Sequence, residues 1–195
     1  MEINFIVYLI ITYLLGSIPF GLIISKLFGK DIRKEGSGNI GATNVTRVLG
    51  KKAGILVLIL DMLKGFLPIY IAKYIFDTKL ISLLAIASVI GHCFSIFLKF
   101  KGGKGVATAI GVLLALSSKT ALIVIMFWLG VFLVSGYVSL ASMLSASISW
   151  VIIKFIENNI YYTYAAFIIG LIVILKHKDN LDRLLKGTEY RFLHK

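Results

Sequence analysis

Seven apolar runs, broken by short polar islands, leave this chain few ways to fold in water. They cover Ile3 to Leu27, Ala53 to Phe76, Leu80 to Leu98, Val106 to Leu116, Thr120 to Val134, Tyr137 to Phe155 and Ile160 to Leu175. A bilayer core asks for ~20 apolar residues per helix, fewer where a helix stops short inside a bundle. The fourth and fifth runs are short; they tilt, extend into the flanking turns, or merge under another parsing. With 58% hydrophobic residues and a mean hydropathy of +0.94 over 195 residues, the chain is too apolar for a soluble domain. The expectation is an all-α integral membrane protein, a single polytopic domain over 1–195 with seven transmembrane helices. The first run lacks a basic leader and a small-residue cleavage site, so it is expected to be a span, not a signal peptide. Pro19 and Pro68 are expected to kink the first and second helices, since each removes a backbone N–H.

A net charge of +12 would suggest a nucleic-acid or acidic-surface partner in a soluble protein, but here the cations are clustered. With seven spans, segments 28–52, 99–105 and 176–195 lie on one face, and together with Lys26 they hold 16 of the 21 Lys and Arg residues. The positive-inside tendency then puts the N-terminus outside and the C-terminus in the cytosol. No nucleic-acid partner is expected. The lone Cys93 sits in an apolar run, which excludes a disulfide framework and a cysteine metal site.

The first island carries SGNIGATNVTR, Ser37 to Arg47. Glycines such as Gly38 and Gly41 permit turns that aim N–H groups at an anion; Ser37, Asn39, Thr43 and Asn44 add neutral groups, and Arg47 adds a planar cation suited to phosphate. GSGNIGAT resembles a Walker A loop with alanine where the lysine belongs, which argues against nucleotide hydrolysis. The second island, KFKGGKG, offers Gly103 and Lys104 ahead of a helix whose positive end favours anions, with Thr108 one turn in. By itself it also fits an ordinary basic turn. In the third island His177 and Asn180, three apart, share a helical face, while the His177 to Asp182 spacing (H-x4-D) matches a catalytic pair of soluble glycerolipid acyltransferases or arises by chance in a charged juxtamembrane helix. Asp61 and Lys64 in the second run, and His92 in the third, are either functional or structural.

In order and spacing, SGNIGATNVTR, D-x-x-KG at Asp61, GH at Gly91, KFKGGKGVAT and HKDNLDRLLKGTE resemble the bacterial acyl-phosphate:glycerol-3-phosphate acyltransferases, the PlsY-type enzymes, along the whole chain. The resemblance implies a multi-pass enzyme of the bacterial inner membrane that makes lysophosphatidic acid from acyl phosphate and sn-glycerol 3-phosphate, with its site facing the cytosol. On that reading Ser37, Thr43 and Asn44 hold one phosphate, Arg47 and Lys104 secure the other or bridge both, and His177 with Asn180 orient the acceptor hydroxyl. An acyl phosphate is already activated, so no acyl-enzyme, cofactor or metal is expected. The rival class is a small transporter of an anionic phosphorylated metabolite; against it, no internal repeat is evident and the polar motifs sit at the membrane edge.

Overall fold

Each apolar run becomes helical, and the punctuation between runs decides where helices stop. The computed structural model describes residues 2–193, among which lie ten α-helices. They are α1 (Glu2–Ser17), α2 (Phe20–Leu27), α3 (Ala42–Leu49), α4 (Lys51–Ala72), α5 (Thr78–Cys93), α6 (Val106–Leu116), α7 (Ser118–Ser135), α8 (Val138–Glu157), α9 (Ile160–Lys176) and α10 (Lys178–Leu185). Asp77, Ser117 and Asn159 cap α5, α7 and α9 by accepting bonds from first-turn N–H groups. Asn158, in the left-handed conformation, ends α8.

Two expectations change in detail. Pro19 does more than kink the first run: α1 stops at Ser17 and α2 starts at Phe20, because the ring cannot donate to the preceding turn. Pro68, by contrast, stays inside a continuous α4. The first island is also no plain loop, since its second half forms α3. By length and composition five segments can cross a membrane, Asn4–Leu27, Lys51–Ala72, Thr78–Leu98, Ser118–Ser135 and Val138–Glu157. The α9–α10 pair, bent by 56°, makes a sixth if it is one span. Helix α6, with eleven residues, falls short of the seventh.

The bundle is apolar outside as well as inside. Leu122, Leu133, Val134 and Phe155 are exposed, whereas Thr12, Ser88, Asp61, Lys64 and His92 are buried. Where lipid replaces water, helices associate through close packing of small residues instead of hydrophobic burial. Gly65 of α4 lies against the Thr108 carbonyl, and Gly111 of α6 against that of Met62, so neither position has room for a Cβ. Gly16 and Gly91 make the equivalent close approach between α1 and α5. A second core of Leu22, Ile24, Ile32, Ile40, Val45 and Val57 ties α2, α3 and α4 together beneath the first island.

Candidate functional site

The first island folds around Asn44, which is fully enclosed. Its amide nitrogen donates to the carbonyls of Ile32, Glu35 and Asn39, and its Oδ1 accepts from the Ser37 N–H at 2.9 Å. Asn39 Oδ1 accepts from the Gly41 N–H, and the Gly38 N–H goes to the Glu35 carbonyl. Asn44 and Asn39 therefore build the loop, and the N–H groups of Ser37, Gly38 and Gly41 are already used. Gly36 and Gly38 take left-handed backbone conformations, and a side chain at Gly36 would strike Asn44 Oδ1. The hydroxyls of Ser37 and Thr43 and the guanidinium face of Arg47 are not used in this way.

The second island behaves in the same way. Lys99 and Phe100, both left-handed, fold the chain back so that the N–H groups of Gly102 and Gly103 cap the Cys93 and His92 carbonyls at the end of α5. Lys176 Nζ reaches the same Cys93 carbonyl at 3.0 Å. A Cβ at Gly103 would collide with His92 Nε2, so this glycine serves the approach to α5 and its N–H is not free. Thr108 is fully buried against Gly65, its Oγ1 without a hydrogen-bond partner among the described residues.

Lys104 points to the third island and donates to Asn180 Oδ1. The Asn180 amide nitrogen donates to Glu189 Oε1 at 2.6 Å; that carboxylate also accepts from Ser139 Oγ at 2.7 Å and from Arg183 Nε at 2.7 Å. Burial tends to raise the Glu189 carboxyl, but the bonds from Ser139, Asn180 and Arg183 outweigh it and hold the group below its ordinary range. Lys104 is pushed down to about 8, first by burial and then by the Arg183 charge, with Glu189 and Asp179 opposing and Arg47 adding to the depression. His177, at the joint between α9 and α10, is buried with Nδ1 2.7 Å from the Val173 carbonyl. Burial lowers it to about 4; the Val173 bond resists and the Lys104 charge assists. It is a neutral imidazole at pH 7, with Nδ1–H donated to Val173 and Nε2 left as the acceptor.

The three islands thus meet. Arg47 from the first stacks on Tyr190 of the third, its Cζ 4.2 Å from the ring centroid, while Lys104 joins the second to the third through Asn180. Among the described residues four Lys and Arg side chains lie within 4.0 Å of a carboxylate, Lys30 with Glu35, Arg33 with Asp31, Lys64 with Asp61 and Arg183 with Glu189. Among the described residues neither Arg47 nor Lys104 has one within 4.0 Å. Glu189, Ser139 and Tyr190 were not anticipated from sequence; a lone Glu in a basic tail was the available signal.

An apolar crease runs from this site between α6, α7, α8 and α9. Val106, Ile110, Leu113, Trp128, Ser145 and Val173 are among the residues that line it. Its upper end adjoins Lys104 through Val106 and His177 through Val173.

Fold and site together define an all-helical membrane protein whose three polar islands meet. A family model described as glycerol-3-phosphate acyltransferase matches residues 6–187. The glycerol-3-phosphate acyltransferase of Aquifex aeolicus is 50% identical over 186 residues, 94% of this chain and 96% of that protein. That of Wolbachia pipientis wMel is 46% identical over 188 residues, 95% and 97% of the two chains. Crystal structures of PlsY (YgiH), an integral membrane glycerol 3-phosphate acyltransferase, are similar throughout at 46% identity. Its glycerol 3-phosphate form superposes with a TM-score of 0.94 over 97% of this chain and 96% of that one, and its lysophosphatidic acid form with 0.92 over 96% and 95%. The chain belongs to the glycerol-3-phosphate acyltransferase family.

Proposed function

We propose that this chain transfers a fatty acyl group from acyl phosphate to sn-glycerol 3-phosphate, giving 1-acyl-glycerol 3-phosphate and inorganic phosphate in the first step of phospholipid synthesis. The observation that carries the reading is the pair of half-buried cations, Arg47 and Lys104, without carboxylates, set beside a neutral His177 and Asn180. Both substrates bring a phosphate, and a cation whose partner is not already a protein carboxylate is free to bind one. Arg47 and Lys104 secure the phosphates, with the hydroxyls of Ser37 and Thr43 completing their coordination. His177 Nε2 and Asn180 orient the acceptor hydroxyl. The acyl tail lies in the crease between α6 and α9.

In the transfer the acceptor oxygen attacks the acyl carbonyl carbon, and the carbonyl's bond to the phosphate oxygen breaks. The hydroxyl proton goes to the departing phosphate. An acyl phosphate dianion that loses its acyl group leaves as a phosphate trianion, a far stronger base than an imidazole lowered to about 4, and takes the proton to become hydrogen phosphate. No acyl-enzyme, metal or cofactor enters. In the membrane α6 counts as a seventh, short span of the single domain 1–195. The N-terminus is then outside the bacterial inner membrane, and 28–52, 99–105 and 176–195 face the cytosol, as the positive-inside tendency asks. Purified protein in detergent, given both substrates, should release phosphate and lysophosphatidic acid in equal amounts, and should do so after chelation. Failure to form either product would refute the reading. A stoichiometric acyl-protein adduct in the absence of acceptor would refute direct transfer.

A further inference from the structure

Arginine is among the side chains with most rotamer freedom to lose, so a site that depends on one usually fixes it. Arg47 is not fixed by a carboxylate. Its Nε is enclosed with no hydrogen-bond partner among the described residues, and Nη1 makes one long approach, 3.4 Å, to Asn44 Oδ1. Aromatic rings do the holding: Tyr190 at 4.2 Å from Cζ and Phe192 at 5.9 Å. Stacking engages the flat face of a guanidinium and leaves its in-plane N–H groups open, whereas a carboxylate would occupy those same N–H groups and compete with a phosphate.

Tyr190 is itself held. The segment 188–192 runs as a strap from the end of α10 to the turn between α7 and α8. The Thr188 N–H bonds the Arg183 carbonyl at 2.8 Å, and Glu189 is clasped by Ser139, Asn180 and Arg183. Beyond Tyr190, Arg191 Nε donates to the Ser135 carbonyl at 3.1 Å and the Phe192 N–H to the Gly136 carbonyl at 2.8 Å. Tyr190 and Phe192 meet edge to face at 4.9 Å, and Phe192 meets Phe132 of α7 at 6.5 Å. The ring beneath Arg47 is thus tied down on both sides.

We propose that Tyr190 is a positioning residue that holds the Arg47 guanidinium by its face and keeps its N–H edge turned to the substrate phosphate. The identity of that phosphate rests on the acyltransferase reading above. The ring matters and the hydroxyl does not, so Tyr190→Phe should behave as the parent, while Tyr190→Leu keeps bulk and loses the π face.

The test combines kinetics with calorimetric titration of glycerol 3-phosphate and of inorganic phosphate on the same detergent-purified samples. Tyr190→Leu should raise KM about tenfold for the substrate whose KM Arg47→Ala also raises, and weaken anion binding in step, with kcat and the thermal midpoint near parental. In an Arg47→Ala background Tyr190→Leu should add nothing. Parental KM and binding in Tyr190→Leu, an equal defect in Tyr190→Phe, or an undiminished effect without Arg47 would each overturn the proposal; so would a lowered melting point with kcat loss and parental KM. If the parent binds the anions but makes no lysophosphatidic acid, the acyltransferase reading fails while the binding arm still decides on Tyr190. A parent that binds neither anion overturns both.

Discussion

The Lys64 ammonium lies 2.7 Å from the carbonyl oxygen of Ile18 and 2.7 Å from Asp61 Oδ1. Ile18 stands in the gap between α1 and α2, so a charged side chain of α4 serves the backbone that Pro19 interrupts. Deep in an apolar bundle a lone charge is costly, and removing one partner of a buried pair leaves the other uncompensated. Lys64→Met should therefore cost about 3–5 kcal/mol, read as a lowered thermal midpoint in detergent. Asp61→Asn combined with Lys64→Met should lose less than Lys64→Met alone, because no unpaired charge remains. Parental stability in Lys64→Met would remove this role.

Lys104 gives activity and stability opposite responses to alkali. In the free protein it titrates at about 8, so kcat/KM should fall tenfold per pH unit above that value. The ordinary value for the unfolded chain is 10.5, so between about 8 and 10.5 the unfolded state binds more protons and this group's contribution to stability improves as pH rises. Alkaline loss of activity should accordingly precede unfolding. Lys104→Arg, charged throughout, should move the alkaline limb upward; an unmoved limb would assign it to another group.

His177→Gln, which keeps a hydrogen-bonding side chain, should retain activity within about tenfold of the parent, whereas His177→Ala should fall further. The parent's kcat should show no titration near neutrality from this imidazole, since it is already neutral there. A near-dead Gln variant together with a parent profile controlled by a group near pH 7 would make His177 the general base.

Gly103→Ala places a methyl group on His92 Nε2. It should lower both thermal midpoint and activity by displacing the loop that carries Lys104. Because the clash is with a side chain, His92→Ala should restore part of what Gly103→Ala loses. Gly65→Ala, which strikes the Thr108 backbone carbonyl, should not be rescued by any side-chain change on α6. Equal rescue at both positions would show that the two clashes are relieved by general loosening.

Topology is open to labelling. In Cys93→Ser protein, cysteines at Ser37, Lys101 and Asp179 should react with an impermeant thiol reagent from the cytosolic side, and those at Asp77 and Asn158 from the outside. Mixed reactivity among the first three would separate the islands and break the single site.

The apolar runs could be read from sequence because burial in lipid leaves a one-dimensional record. Val106–Leu116 begins and ends as its hydropathy does, and the other runs differ chiefly at their ends, where capping and 3₁₀ turns decide. The break at Pro19 was half legible: a proline announces a disturbed helix, but that Lys64 of a distant helix bonds the Ile18 carbonyl in the resulting gap is decided by tertiary packing. The helix Ala42–Leu49 was hidden because Thr, Asn and Gly suggest a loop, while its stability comes from Val45 packing on Ile32 and Val57. Donor groups in the glycine-rich motifs could be counted from sequence, yet their prior commitment to Asn44, Asn39 and the end of α5 could not. Glu189 and Ser139 lie 50 residues apart, a pairing that no local pattern encodes.

Helix α6 has eleven residues, about 16 Å of rise, against a hydrocarbon layer of ~30 Å. If α6 is the seventh span of the topology proposed above, its far end level with those of its neighbours, the loop mounted on it sits below the membrane surface. Lifting a fatty chain out of hydrocarbon costs about 0.8 kcal/mol for each methylene exposed, so an enzyme that worked at the surface would spend several kcal/mol before reaction began. On that proposed topology, with Lys104 at the head of α6, the small water-soluble partner would descend instead, and the lipid would react near the depth at which it already floats.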